Sequence, residues 1–249
     1  MTVILNTWIF EKDVKHGTTQ LELVDRVKKL GADGIEVRRE YFKDLELELA
    51  QVGERAKELD LIVNYSVPDV LFTEDGKINE KLKGYFEEGK ILGISKIKFN
   101  TGSFNKFTGV LEDELSKLPL NEIEMNVEND QTILSGTVKP IKDFLNKAYE
   151  VGYTNIGYVY DLGNWAFTRG NAIASADALH DATNYIHLKN TINDSGELST
   201  SDDLDKGIYD WRDILKHLPH KVSFALEYPM DTEEQIEQQI QLLKAEIGD

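Results

Sequence analysis

Four residues of this chain are of types that can jointly hold a divalent cation: Glu128, Asp161, His187 and Glu227. Three carboxylates and one imidazole offer oxygen and nitrogen donors, a set that suits Mn²⁺ best and also accommodates Mg²⁺, Co²⁺ or Zn²⁺. The chain has no cysteine, so thiolate ligands, thiolate nucleophiles and disulfides are excluded. Taken singly, each residue has an ordinary reading. A strand histidine is often a satisfied core group, Asp161 begins an Asp-Leu-Gly that resembles turn chemistry, and Glu227 before Tyr-Pro could simply end a strand. Position is what joins them. Each stands at or near the C-terminal end of a short apolar or β-branched run, and the four runs follow one another in the chain.

The runs belong to a longer series. Residues 3–8, 34–39, 61–67, 96–101, 122–128, 156–161, 185–189 and 222–227 all read as strands. Amphipathic segments fall between them. Leu21, Val24, Val27 and Leu30 recur at helical spacing, as do Phe144, Leu145, Ala148 and Val151, and then Ile236, Ile240, Leu243 and Ile247. Gly31 and Gly93 stand where a helix would end before the next strand. The fourth helix, over 111–118, is short and stops at Pro119. Eight βα units spread over 249 residues predict one (β/α)8 TIM barrel spanning 1–249, an α/β fold with no second domain. A doubly wound open sheet is the competing architecture, but no strand is followed by a G-x-G-x-x-G or a phosphate loop.

A barrel makes a further demand. One parity of each strand faces the helices and must be apolar, and the other faces the barrel axis. Ile35 and Val37 alternate with Glu36 and Arg38, Ile97 and Phe99 with Lys98 and Asn100, and Ile186 and Leu188 with His187 and Lys189. Val63, Tyr65 and Val67 alternate with Asn64 and Ser66, and Ile123, Met125 and Val127 with Glu124, Asn126 and Glu128. Ionisable groups inside a barrel need partners, and a metal satisfies several at once. Arg38, Lys98 and Lys189 are expected to point inward with the carboxylates. They predict either a grip on an acidic substrate or internal charge balance. Trp8, with Phe10 and Trp165, could wall off one side of a bound substrate. His16, His180, His217 and His220 fall in loop, helix or helix-end positions and carry no such pattern.

Composition narrows the partners. Asp and Glu number 45 against 28 Lys and Arg, a formal net charge of -17, which repels polyanions such as nucleic acids and anionic membranes. The N-terminal residues read directly as a strand without the pattern of a signal peptide, and no apolar run approaches membrane-spanning length, so the expected location is the cytoplasm. Assembly into a homo-oligomer is compatible with everything above.

The set Glu128, Asp161, His187 and Glu227, in that order and at those spacings, resembles the metal site of the xylose-isomerase-like sugar phosphate isomerases and epimerases, which include the ketose 3-epimerases. The resemblance runs from Gly31-Ala-Asp-Gly-Ile-Glu36 to Glu227 and takes in Gly207-Ile-Tyr-Asp-Trp211. Glu36-Val-Arg-Arg-Glu-Tyr41, Val127-Glu-Asn-Asp-Gln-Thr132, Asp161-Leu-Gly-Asn-Trp165 and Leu226-Glu-Tyr-Pro229 resemble more narrowly the 2-ketogluconate epimerase branch. The resemblance implies one divalent metal ion and proton abstraction beside a carbonyl, giving an enediolate that the metal stabilises. It implies that Glu128 and Glu227 act as acid and base as well as ligands. Arg38, Lys98, Lys189, Asn164, Trp8 and Glu36 are the expected substrate contacts, for a small sugar or sugar acid. One position departs from the pattern: the 3-epimerases carry a histidine three residues after the strand-six aspartate, and this chain has Asn164, which can hydrogen-bond a hydroxyl but cannot act as an acid. Two further readings use the same residues: a lyase that dehydrates a polyol or sugar acid, and a non-catalytic sugar-binding barrel. A multi-zinc DNA-repair endonuclease on this barrel is disfavoured by five histidines and the acidic surface.

Overall fold

The computed structural model describes residues 1–248. Among the described residues there are ten strands: β1 (Thr2–Asn6), β2 (Gly34–Arg38), β3 (Ile62–Phe72), β4 (Lys96–Gly102), β5 (Glu124–Glu128), β6 (Gly157–Asp161), β7 (Thr183–Leu188), β8 (Thr191–Asp194), β9 (Glu197–Thr200) and β10 (Ser223–Leu226). Eight of them close into an all-parallel barrel in the order β1-β2-β3-β4-β5-β6-β7-β10, and β10 pairs back onto β1. A helix follows each barrel strand, the longest being Leu45–Glu58, Val138–Glu150 and Glu233–Ile247. The chain is therefore a (β/α)8 barrel, as its alternating sequence predicts. β8 and β9 form an antiparallel hairpin beyond β7 that the sequence reading did not include. Among the described residues, no helix is long and apolar enough to cross a membrane.

Strand parity sorts the core into two packings. Val3, Leu5, Ile35, Val37, Ile97, Phe99, Ile186, Leu188, Phe224 and Leu226 face outward and pack in one cluster with the helices. Ile4, Val159, Tyr185 and Ala225, one residue out of phase, form a separate small cluster inside the barrel. That inner cluster pairs in register with inward polar residues, Ala225 beside His187 and Val159 beside Glu128.

Local chemistry sets the helix boundaries. Thr19 and Glu22 form a reciprocal capping box at the start of Gln20–Lys29. Gly93, at φ 68°, ends Leu82–Leu92 in the left-handed conformation, where any other residue would be strained. The sequence reading ended the third strand before Pro68. The strand instead continues to Phe72, with a register shift against β4 between Ser66 and Val70. Proline donates no ladder hydrogen bond and is tolerated at such a bulge, so it bends the strand without ending it.

Candidate metal centre

The four candidate ligands converge. Glu128 closes β5, Asp161 closes β6, His187 lies in β7 and Glu227 follows β10, and strand register places Asp161 beside His187 and His187 beside Ala225. One donor atom from each of Glu128, Asp161, His187 and Glu227 lies within 4.8 Å of the other three, and all four residues are buried. His187 Nδ1 is 3.0 Å from Glu128 Oε1 and 3.0 Å from Glu227 Oε2. Glu128 Oε1 and Asp161 Oδ2 are buried and face only cationic groups, His187 Nδ1 at 3.0 Å and Lys189 Nζ at 2.6 Å. Three buried carboxylates converging this closely on an imidazole repel one another unless a positive charge stands among them, and a divalent cation with oxygen and nitrogen ligands supplies it. The donor set therefore fits a metal. Glu128, Asp161, His187 and Glu227 would hold it.

Basic side chains enclose the carboxylates. Lys98 Nζ lies 2.5 Å from Glu128 Oε2, and Lys189 Nζ lies 2.6 Å from Asp161 Oδ2 and 3.3 Å from Glu227 Oε2. Arg38 Nη1 is 3.0 Å from Glu227 Oε1, while its Nε is 2.7 Å from Glu40. The inward direction predicted for all three holds, and Glu40 joins the carboxylates as a rim partner. These contacts set the protonation states. Burial pushes the Glu128 carboxyl up, but Lys98 and His187 outweigh it and hold the group at about 2. Burial wins at Asp161, pushing it up to about 7 against the opposing pull of Lys189. Burial opposes charge on His187 as well, yet Glu36, Glu227 and Glu128 overcome it and raise the imidazole well above its ordinary value.

Above these groups opens a cavity of about 210 Å³, lined by Trp8, Arg38, Lys98, Glu128, Asn164, Lys189 and Glu227, among others. Of the expected substrate contacts, only Glu36 is not among the lining residues. It is buried beneath His187, with Oε2 3.2 Å from His187 Nε2. Two cations approach the Trp8 ring, Arg38 at 5.5 Å and Lys189 at 5.2 Å from its centroid. Phe10 and Trp165 do not reach the cavity: Phe10 lies under Arg26, and Trp165 packs on Tyr160. Gly163 allows Lys189 to run past, because a Cβ there would fall 2.8 Å from Lys189 Cγ.

Three site residues escaped the sequence reading of individual roles. Gln131 lines the cavity and donates to Asn164 Oδ1 at 3.3 Å. Asn6 donates to both Glu36 and Glu227. Asn129 is fully buried, donates to Asp161 O at 2.9 Å, and accepts from Asp161 N at 2.9 Å and from the Tyr158 hydroxyl. It thus fixes the backbone of a ligand from the neighbouring strand end. Asn129→Ala leaves three buried polar groups unpaired and is expected to cost about 2–4 kcal/mol, lowering Tm by roughly 10 °C. Thermal denaturation checks this, and an unchanged Tm would mean that water replaces the amide.

No family model matches the chain, and no curated protein matches it in sequence. Solved structures do match its fold. The probable 3-DHS dehydratase AsbF of Bacillus anthracis aligns with 98% of this chain and 99% of its own, at 15% identity and TM-score 0.71. D-allulose 3-epimerase from Methylomonas sp., in complex with D-allulose, aligns with 99% of this chain and 97% of its own, at 13% identity and TM-score 0.71. The IolI protein, with a bound zinc atom, aligns with 99% and 98%, at 16% identity and TM-score 0.66. A fusion protein containing a xylose isomerase-like TIM barrel also aligns, covering 97% of this chain, at 13% identity and TM-score 0.70. This chain therefore has the fold of the xylose isomerase-like TIM barrels.

Proposed function

We propose that this protein is a divalent-metal-dependent isomerase or epimerase acting on a ketose or keto-sugar acid. The observation that carries the reading is the convergence of Glu128, Asp161, His187 and Glu227, two of which, Glu128 and Glu227, line a cavity at the barrel mouth. When bound, the metal supplies Lewis-acid stabilisation of the negative charge that develops on the substrate as the proton leaves. The protein's own groups do the rest. Lys98 keeps Glu128 ionised, as a base must be, and Glu227 stands ready as the second proton carrier. Trp8 covers one side of the cavity and limits water. Asn164, held by Asn129 O and Gln131, offers an amide to a sugar hydroxyl where an acid is absent.

The substrate we favour is acidic. Arg38, Lys98 and Lys189 line one cavity, and none can shed its charge cheaply beside so many carboxylates. A neutral ketose makes little use of them, whereas a carboxylate can accept from Arg38 at the rim. Arg38→Met is expected to raise KM for an acidic sugar by about 10- to 100-fold, the loss of one charge-assisted pair, and to leave a neutral ketose nearly unaffected. Equal losses on both would assign Arg38 to holding Glu227.

A dehydratase is the second reading. One of the similar folds belongs to a protein described as a probable dehydratase, and elimination begins with the same proton abstraction. A screen of ketoses and 2-keto acids in deuterated water with Mn²⁺ tests both. Deuterium at one carbon of a product of unchanged composition supports the epimerase. Loss of water from the product supports the lyase, and no exchange on any substrate would refute both.

A further inference from the structure

Glu36 was expected at the substrate and lies instead one layer below it, buried among the barrel-axis residues. Both of its carboxylate oxygens are committed. Oε2 faces His187 Nε2 at 3.2 Å, and Oε1 accepts from Asn6 Nδ2 at 2.5 Å. Asn6 is itself fully engaged. Its Nδ2 also donates to Glu227 Oε1 at 3.0 Å, and its Oδ1 accepts from Trp8 N at 2.8 Å. The Asn6 amide therefore cannot turn round without placing its oxygen against two carboxylates.

Resting on the metal reading above, we infer that Asn6 and Glu36 form a positioning pair that fixes the tautomer of His187, so that Nδ1 is the metal-facing nitrogen. The reasoning is one of donors and acceptors. A metal ligand must present a lone pair, and a neutral imidazole has only one nitrogen free to do so. Nε2 faces a carboxylate that Asn6 holds in place, so Nε2 keeps its proton and donates to Glu36. Nδ1, 3.0 Å from Glu128 and Glu227, is left to the metal. A carboxylate behind a ligating histidine also raises the basicity of the ring, and disturbing such a partner typically costs 10–100-fold in metal affinity. Tyr185, edge-on to His187 with ring centroids 4.7 Å apart, further restricts the ring.

The same pair links three parts of the site. Through Asn6, the carboxylate that orients His187, the ligand Glu227 and the turn that carries Trp8 are tied to one side chain at the end of β1. Glu36→Gln separates this role from mere space-filling. The Asn6 Nδ2 demands an acceptor, so the new amide oxygen turns towards it and the amide nitrogen faces His187. Nε2 must then accept, and the proton moves to Nδ1, where the lone pair is needed.

Calorimetric titration with Mn²⁺ is expected to show binding 10- to 100-fold weaker in Glu36→Gln than in the parent protein, with the circular dichroism spectrum unchanged. Parent protein that does not bind Mn²⁺ would refute the metal reading itself. Tight binding by the parent and equal binding by the variant would overturn the positioning role alone. Should the variant fail to fold, nitrogen NMR of histidine-labelled parent protein loaded with Zn²⁺ decides the matter. A metal-shifted Nδ1 with a protonated Nε2 is expected, and coordination through Nε2 would overturn the inference.

Discussion

Glu128→Gln and Glu227→Gln are each expected to reduce proton exchange at the substrate carbon by at least about 10³-fold while the protein remains folded. Two losses combine in each variant. General acid–base catalysis contributes on the order of 10²–10⁴-fold, and an amide can neither take nor return the proton. Each change also replaces a charged ligand by a neutral one, which weakens the hold on the cation. The two variants should nevertheless differ in kind. Lys98 sits 2.5 Å from Glu128, and an uncharged residue there leaves a buried ammonium with only Glu227, at 3.8 Å, as a carboxylate partner. Glu227 bonds to Asn6, Arg38 and Lys189 together, so its substitution loosens more of the site. Exchange of deuterium from solvent, measured separately from net turnover, distinguishes the two roles. Exchange retained in either variant while turnover is lost would contradict the expected loss and restrict that carboxylate to returning the proton. Near-normal turnover in either would refute the two-carboxylate scheme.

Much of this site was legible in the sequence, for a definite reason. A parallel barrel buries one parity of every strand against helices, so a polar residue between two apolar ones has only the barrel axis to face. Glu36, Lys98 and His187 could be placed inward on that ground alone, and the strand ends then collected Glu128, Asp161 and Glu227 at one mouth. What alternation does not encode is depth along the axis. Glu36 and Arg38 share a face on β2, yet Glu36 lies under His187 and Arg38 reaches the cavity. The difference comes from register, Glu36 pairing with Asn6 and Asn64 while Arg38 pairs with Ser66, and register depends on partners distant in the chain. Asn6 and Asn129 were missed because an asparagine at a strand end reads equally well as a turn former. Their significance lies in what they donate to across strands. The hairpin of β8 and β9 was missed because its residues are mostly exposed and lack the apolar alternation that betrays a core strand.

Binding of a divalent cation is expected to release protons, and His187→Ala is expected to reduce both the affinity and the release. In the metal-free protein the carboxylates around His187 keep its imidazole charged well above its ordinary pKa, with Nδ1 towards Glu227 and Nε2 towards Glu36. A ligand must present a lone pair, so Nδ1 must lose its proton as the cation enters. The sign follows directly. His187 has a raised pKa without metal, so protons compete with the cation below that pKa, and affinity rises with pH until the raised value is passed. Asp161, pushed up to about 7 by burial, adds a second, partial release near neutral pH that fades above it. Calorimetric titration of Mn²⁺ in buffers of different ionisation enthalpy counts the protons. More than one per ion is expected at neutral pH in the parent protein. Structural Zn²⁺ sites of four ligands bind with on the order of 10–16 kcal/mol, so one ligand of four is worth about 2.5–4 kcal/mol there, and roughly 10²–10³-fold in Kd is the upper bound for Mn²⁺, which binds more weakly. In His187→Ala the release should fall to the Asp161 share alone. Unchanged affinity with unchanged proton release would remove His187 from the ligand set. Weakened affinity with full release would instead locate the displaced proton on the carboxylates.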